Sequence, residues 1–208
     1  MKEAWKEHPL SEPFEQEDKL EPIVTVDIFR DIVSPFRKLT DEILANLALG
    51  LNSTLRQYEI NTPLRIVHFL GQTMHESMCF KYSKEIWGPT PAQSRYEGRV
   101  DLGNIQEGDG KRYMGRGYIQ ITGRTNYTQI TKEIGGLFHV DFVNYPDLLQ
   151  LSYWAMLSAG WYWNSRKLNK FADLDNIRGV TLRINGGYNG LEDRIKYTDH
   201  CKSILILT

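Results

Sequence analysis

The segment between residues 61 and 76 constrains the fold of this chain more than any other. It opens with Asn61-Thr62-Pro63, where a capping side chain precedes a proline suited to the first helical position. The helix that follows is apolar on almost every side, through Ile66, Val67, Phe69, Leu70, Thr73 and Met74. Because such a helix has no polar face to turn toward water, we predict that it lies at the centre of a helical domain.

Apolar side chains recur at helical spacing through most of the remaining chain. Thr40 is a good helix cap, followed by Asp41 and Glu42 in the first turn, where the helix dipole favours negative charge. Trp154 and Trp161 are seven residues apart, so they share one helix face, which indicates core packing rather than a ligand platform. The spacing predicts further helices over residues 24–36, 40–55, 125–134, a buried one after Pro146, 174–184 and 191–207.

Residues 88–123 have the composition of a long ordered loop with a small hairpin. Pro89, Pro91 and six glycines between Gly98 and Gly117 exclude a long helix, and residues 118–122 alternate like a short strand. The chain also has 24 aromatic residues, enough for one sizeable core. We therefore predict one α+β domain over residues 23–208, predominantly α-helical, with a small β element beside a cleft.

The first 22 residues are polar, bear prolines and lack helical periodicity. Seven acidic residues interrupt them, and they lack the apolar stretch of about 7–15 residues that a secretory signal peptide requires. We expect a poorly ordered, solvated N-terminal arm over residues 1–22, with a docking or export segment as the alternative.

Charge and cysteine content exclude several functional classes. The 25 basic and 26 acidic residues leave a net charge of -1, so a dominant affinity for nucleic acid or anionic membrane is not expected. No apolar run approaches the roughly 18–20 residues that span a bilayer. Cys79 and Cys201 form no CxxC pair, and we expect two free, partly buried thiols rather than a long-range disulfide.

Metal chemistry finds little support in the sequence. His75-Glu76 would need a second histidine at position 79 to form a zinc-protease motif, and Cys79 stands there instead. Since no other histidines or cysteines have chelating spacing, neither a metal nor an organic cofactor is expected.

Glu76 is the most informative polar residue of the central helix. A carboxylate that ends an apolar helix must be paired, or it marks a site. Glu85 lies nine residues further on, while Glu97 and Glu107 follow in the loop region and are expected to be solvated charges. Two carboxyl groups across a cleft are the minimum that glycoside hydrolysis requires, although many helical proteins contain glutamates at this spacing.

The glycine-rich segment that begins at Gly115 does not match a nucleotide-binding loop. A GxGxxG motif would need glycine where Gln120 stands, and neither GxxxxGK[ST] nor a GxSxG nucleophile motif occurs in the chain. The segment instead combines glycines, which let a backbone approach a ligand closely, with Gln and Thr side chains suited to sugar hydroxyls.

Together these motifs resemble glycoside hydrolase family 19. The matching segments are His75-Glu76-Ser77, Glu85, residues 111–127 (KRYMGRGYIQITGRTNY), residues 184–191 (INGGYNGL) and Asp193-Arg194-Ile195. The resemblance spans roughly residues 24–207 and implies a lysozyme-like fold. It is nearer to the phage and bacterial endolysins than to plant chitinases, since the plant disulfide cysteines are missing and TGR follows Ile121.

The resemblance also implies roles for individual residues. Glu76 corresponds to the general acid, Glu85 to the general base at the endolysin spacing, and Thr122 to the residue that positions the attacking water. The substrate-binding positions it implies are Tyr113, Gln120, Asn126, Asn185 and Arg194, the last lying near the acid.

The resemblance therefore predicts a peptidoglycan-degrading enzyme that cleaves β-1,4 glycosidic bonds with inversion. A chitinase with the same mechanism, a non-catalytic glycan-binding protein and an antibacterial effector are the alternatives; retention of both glutamates argues against the non-catalytic one. We expect a monomer whose partner is the peptidoglycan glycan strand, or a chitin oligomer. With no signal peptide, it would be made in the cytoplasm and act on the cell wall after lysis, release through a holin or export.

Overall fold

The computed structural model describes residues 20–206, so the prediction for the N-terminal arm lies almost entirely outside the described residues. Within this range the chain forms eleven α-helices: α1 Val26–Val33, α2 Asp41–Gln57, α3 Pro63–Ser77, α4 Pro91–Ser94, α5 Asp109–Arg112, α6 Arg124–Ile130, α7 Gly136–Phe138, α8 Ser152–Ser165, α9 Asn169–Ala172, α10 Ile177–Asn185 and α11 Leu191–Leu205. Two 3-10 turns, Val100–Leu102 and Pro146–Gln150, and a π-helical turn, Thr131–Gly135, lie between them.

Threonine side chains begin the first three helices. The hydroxyl oxygens of Thr25, Thr40 and Thr62 each accept a hydrogen bond from the N–H three residues later, at 3.2 to 3.4 Å. Pro63 occupies the first turn of α3, where its missing N–H costs nothing. The predicted starts of α2 and α3 are confirmed.

Helix α3 is buried along most of its length, as its sequence predicted. Residues 66–74 are all buried, and α11 packs along the helix. The two helices approach closely at Gly71, where a methyl group would lie 2.1 Å from the Thr198 hydroxyl oxygen. A side chain at position 71 would therefore push α11, which carries Arg194, away from α3.

The second major helix pair is formed by α2 and α8. Gly50 of α2 fits against the backbone of α8, since a Cβ there would lie 2.9 Å from the Cα of Tyr153. Trp154 and Trp161 of α8 are both buried, which confirms that they belong to the core.

The β element is smaller than expected. In the described part of the chain it consists of two isolated antiparallel bridges, Lys84 with Arg116 and Arg116 with Ile121. The predicted strand over residues 118–122 is wrong: Gly117 and Gln120 both have positive φ, and they turn the chain back within four residues. The domain is thus mostly helical as predicted, with almost no strand.

Two helix boundaries also differ from those predicted. The helix predicted over residues 125–134 ends as regular α-helix at Ile130 and continues as the π-helical turn. The helix predicted from residue 174 begins at Ile177, because the side chain of Asn176 accepts a hydrogen bond from the Gly179 N–H and caps it there.

Both cysteines are in the state that the sequence predicted. Cys79 and Cys201 are buried and free, and burial raises the pKa of both thiols, which keeps them protonated. No helix between residues 20 and 206 is long and apolar enough to cross a bilayer.

Candidate active site

Glu76 occupies the last turn of α3 and is held by Arg194 of α11. The guanidinium donates through Nη2 to Glu76 Oε1 at 2.5 Å and through Nη1 to Gln72 Oε1, one turn earlier on α3, also at 2.5 Å. A third bond runs from its Nε to the Asn189 carbonyl at 3.2 Å. Arg194 is 1% exposed, whereas the Glu76 side chain is 22% exposed. The carboxylate is therefore fixed from behind while one side stays open.

A second contact between the same two helices lies beside this one. His75 Nδ1 is 2.7 Å from Asp193 Oδ2, so two adjacent residues of α3 bind two adjacent residues of α11. The His75 ring packs against Gly190, where a Cβ would lie 2.2 Å from its Cε1. Gly190 also has a φ of 70°, so glycine is required there for both reasons.

Directly after α3, three consecutive residues turn the chain back. Met78, Cys79 and Phe80 have φ values of 49°, 53° and 61°, in the left-handed region that residues other than glycine rarely adopt. Ser77 stabilises this turn: its hydroxyl oxygen accepts from the Phe80 N–H at 2.8 Å. The reversal leads the chain from Glu76 out of the helix and toward Glu85.

Glu85 is held by three hydrogen-bond donors. Oε1 accepts from Gln93 Nε2 at 2.9 Å and from the Tyr96 hydroxyl at 3.4 Å, and Oε2 accepts from the Gly115 N–H at 3.0 Å. Burial, together with the negative charge of Glu85, raises the pKa of Tyr96, so its hydroxyl remains a donor. The Glu85 backbone N–H also donates to the Gly115 carbonyl at 2.8 Å. Residues from two separate segments, one of which includes α4, thus fix this carboxylate.

Three polar side chains converge on Gly115. A Cβ added there would lie 2.6 Å from Gln120 Oε1 and 3.3 Å from both Glu85 Oε2 and Thr122 Oγ1. The Thr122 hydroxyl donates to the Gln120 carbonyl at 3.0 Å, which leaves its oxygen free to accept a hydrogen bond. The structure therefore brings Glu85, Thr122 and Gln120 together around Gly115.

The other predicted sugar-binding residues occupy different positions. Asn126 is half-buried and donates to the Thr122 carbonyl at 2.7 Å, so it braces the Thr122 segment. Asn185 is exposed at the end of α10. Tyr113 is 1% exposed and its hydroxyl donates to the Val143 carbonyl, so it lies beneath the site. Arg194 is likewise buried, and its donors are occupied by protein groups; both residues support the site from within.

Glu97 is exposed, as expected for a solvated charge. Its carboxylate also accepts hydrogen bonds from the Gly108 and Gly110 N–H groups at 2.7 and 2.8 Å, which stabilise the loop. Glu107 is exposed, as expected.

Three supporting residues were not singled out from the sequence: Gln72, Gln93 and Tyr96. Gln72 lies four residues before Glu76 in an otherwise apolar helix, which is a signal that sequence analysis could have used. Gln93 follows Thr90-Pro91 as part of a capping box, and this local pattern gives no sign that its amide also reaches Glu85.

The fold is that of a helical, lysozyme-like domain, and its candidate site contains two glutamates that are held separately. The glycoside hydrolase family 19 profile, described as chitinase class I, matches residues 57–182. The chain belongs to this family.

Individual relatives agree with that assignment. The chain is 41% identical over 101 residues to a glycosyl hydrolase family 19 domain-containing protein of Haemophilus influenzae, covering 49% of this chain and 46% of that one. It is 35% identical over 169 residues to an acidic endochitinase of Petunia hybrida, covering 67% and 61%. The chain therefore spans about half the length of the curated relatives it matches.

Solved structures share the fold. Chitinase C of Streptomyces griseus superposes with a TM-score of 0.67 at 21% identity, covering 88% of this chain and 76% of that one. The class IV chitinase of Zea mays gives a TM-score of 0.65 at 18% identity, covering 88% and 92%.

Proposed function

We propose that the protein is a glycoside hydrolase that cleaves β-1,4 bonds between N-acetylated sugars. The observation that carries this proposal is the separate placement of two partly exposed glutamates on either side of the chain reversal at residues 78–80. Glu76 is held by a buried arginine, and Glu85 by three donors from the loops. Each carboxyl group can thus act on a different atom of the same bond.

The proposed reaction is a single displacement by water. Glu76 gives its proton to the leaving oxygen as the bond between that oxygen and the anomeric carbon breaks. Glu85 takes a proton from the water whose oxygen forms the new bond on the opposite face of the sugar. The Thr122 hydroxyl, close to Glu85, accepts a hydrogen bond from that water and orients it. No cofactor takes part in these steps.

We propose peptidoglycan as the preferred substrate. The motif after Ile121 resembles the lysins. Gln93 and Tyr96 of the segment from Trp87 to Arg112 contact Glu85, so this segment lies beside the site and could set the room for peptide-bearing sugars. Such an enzyme would reach the wall after lysis, release through a holin or export. Chitin is the second candidate, favoured by the endochitinase relatives from plants.

The test compares both polymers with equal amounts of enzyme. Turbidity of outer-membrane-permeabilised Gram-negative cells and mass spectrometry of products from purified sacculi report peptidoglycan cleavage. Reducing ends released from colloidal chitin report the alternative. The Glu76→Gln variant serves as the control for contaminating activity. Faster release from chitin with intact sacculi would contradict the substrate proposal, and no release from either polymer would contradict the activity itself.

A further inference from the structure

Residues 164–190 carry a local excess of positive charge, although the chain as a whole is nearly neutral. They include five basic and two acidic residues in a chain whose net charge is -1. All five basic side chains are exposed, and together they form what we call the basic rim: Arg166, Lys167, Lys170, Arg178 and Arg183. Such an asymmetry indicates a surface that attracts anions.

The two acidic residues of the segment do not neutralise the rim. Asp173 accepts two hydrogen bonds from Arg65 of α3, at 2.7 and 2.8 Å. Asp175 is bound by Lys202 and His68, each at 2.7 Å. Across residues 20–206, no carboxylate lies within 4.0 Å of a basic-rim nitrogen. Within the described part of the chain, the rim cations thus form no ion pair.

Aromatic rings support the cations at the surface. The Arg178 guanidinium lies 4.5 Å from the centroid of the Tyr188 ring. Arg183 and Lys170 share one ring, at 5.4 and 5.3 Å from the Phe171 centroid. Such contacts hold a cation in place without cancelling its charge. Because α9 and α10 meet at Phe171, their cations form one surface.

A third ring extends this surface along α8. Arg166 lies 4.8 Å from the centroid of Tyr162, whose hydroxyl donates to the Ile184 carbonyl of α10 at 3.2 Å. Tyr162 thus connects Arg166, which directly follows α8, with the carboxyl end of α10, two residues after Arg183 in the chain.

The same end of α10 adjoins the candidate active site. Tyr188, whose ring contacts the Arg178 guanidinium, directly precedes Asn189. The Asn189 carbonyl accepts a hydrogen bond from Arg194. Arg194 in turn holds Glu76. A short chain of contacts through Tyr188, Asn189 and Arg194 therefore connects Arg178 with Glu76.

We propose that the basic rim binds the carboxylates of the peptide stems carried by peptidoglycan strands. The inference rests on the proposed function and deepens it. A chitin chain is uncharged and offers the rim no partner, whereas alternate sugars of peptidoglycan carry lactyl peptides with free carboxylates. Arginine binds carboxylates through paired N–H groups, so Arg178 and Arg183 would carry most of this recognition.

Co-sedimentation with sacculi tests the proposal without turnover. The protein carries Glu76→Gln throughout, so that the polymer is not consumed. Gram-negative sacculi are used intact and after an amidase has removed their peptides; since they contain no teichoic acid, peptide carboxylates are the anions under test. With Arg178→Gln and Arg183→Gln, binding to intact sacculi should weaken about three- to tenfold, as expected for two exposed ion pairs. Binding to peptide-free strands should not change.

The matched control is Lys38→Gln with Lys132→Gln, which removes the same charge from exposed lysines outside the rim. An equal loss in this control, or undiminished binding of the arginine variant, would overturn the proposal. Wild-type product release is measured separately. Failure of that assay contradicts the proposed activity, whereas unchanged sedimentation in an active enzyme contradicts only the role of the rim.

Discussion

The side-chain amide of Gln93 lies 2.9 Å from Glu85 Oε1 and is almost fully buried. Its nitrogen also donates to the Ile86 carbonyl at 2.8 Å, and its oxygen accepts from the N–H groups of Gly88 and Thr90. Rotating this amide would break four hydrogen bonds. Gln93 therefore acts as a positioning residue for Glu85, although it is too deeply buried to touch a sugar.

We expect Gln93→Ala to lower kcat about ten- to a hundredfold, because Glu85 loses a hydrogen bond that involves a charged group. KM should change less than about twofold, since bound sugar does not reach Gln93. Steady-state kinetics on chitin oligomers or soluble peptidoglycan fragments separates the two parameters.

Thr90→Ala is the matched control for this variant. The Thr90 hydroxyl oxygen caps α4 by accepting from the Gln93 N–H at 3.2 Å but makes no contact with Glu85. It should cost about 1 kcal/mol of stability and leave kcat unchanged. Equal losses of kcat in both variants would show that Gln93 has only a structural role.

Replacing Glu76 with Gln should remove nearly all activity. The amide is nearly the same shape and its oxygen can still accept from Arg194, so the fold should persist, but it cannot supply a proton to the leaving oxygen. General acid catalysis contributes about 10²–10⁴-fold, and turnover should fall by that factor. A folded variant, checked by circular dichroism, that retains more than a third of wild-type turnover would sink the assignment.

Glu85, and neither Glu97 nor Glu107, should be the base. Glu85→Gln should abolish turnover. Glu97→Gln keeps an acceptor for only one of the Gly108 and Gly110 N–H groups, so it should lower Tm, at a cost of about 1–3 kcal/mol, while the folded fraction stays active. Glu107→Gln should change neither property. Three variants assayed for melting and turnover decide between them, and a dead but well-folded Glu97 variant would identify a different base.

Hydrolysis should invert the anomeric centre, because water attacks between two carboxyl groups that act on opposite faces. In a productive complex these groups should lie about 6.5–9.5 Å apart. Proton NMR of the first-formed sugar should show an initial excess of the α-anomer. An initial excess of the β-anomer would instead require two successive displacements, with either a carboxylate of the protein or the N-acetyl group of the sugar as the first nucleophile.

Stability should depend on pH through His68. Burial lowers the pKa of this imidazole below its usual value of 6.5, only partly offset by its hydrogen bond to Asp175. The unfolded chain therefore binds a proton that the folded state resists, so the free energy of unfolding should fall as pH drops below about 6.5. Urea titrations between pH 5 and 8 should show this slope, and His68→Gln should flatten it.

The sequence predicted the parts of the fold that local chemistry determines. Thr40, Thr62 and Pro63 begin helices because capping depends on immediate neighbours, and α3 is central because its apolar surface leaves no alternative. The strand expected over residues 118–122 did not form, since Gln120 has a positive φ that the alternating pattern does not reveal. Distant segments also hold this turn, since the Gly117 N–H donates to the Ser83 carbonyl and the Tyr118 N–H to the Ala155 carbonyl.

The candidate site likewise has a part that the sequence predicts and a part that it does not. Glu85, Gln120 and Thr122, all singled out from the sequence, lie together around Gly115, and one loop carries two of them. The donors from Gln93 and Tyr96 reach Glu85 through a fold of the loop that no local pattern predicts. Arg194 was expected at the substrate but lies buried behind Glu76, a distinction that depends on how α11 packs on α3.

The eight residues between Glu76 and Glu85 form a segment that hydrogen bonds hold near both of its ends. The Ser77 carbonyl accepts from the N–H groups of Lys81 and Tyr82, and the Ser83 hydroxyl donates to the Gln150 carbonyl at 2.7 Å. One inserted residue adds up to about 3.6 Å of chain and would displace Glu85 from its hydrogen bonds with Gly115. The length of this segment thus sets the position of the proposed base relative to the proposed acid. A change of glycan preference that keeps the proposed chemistry would therefore have to fall on the surrounding loops.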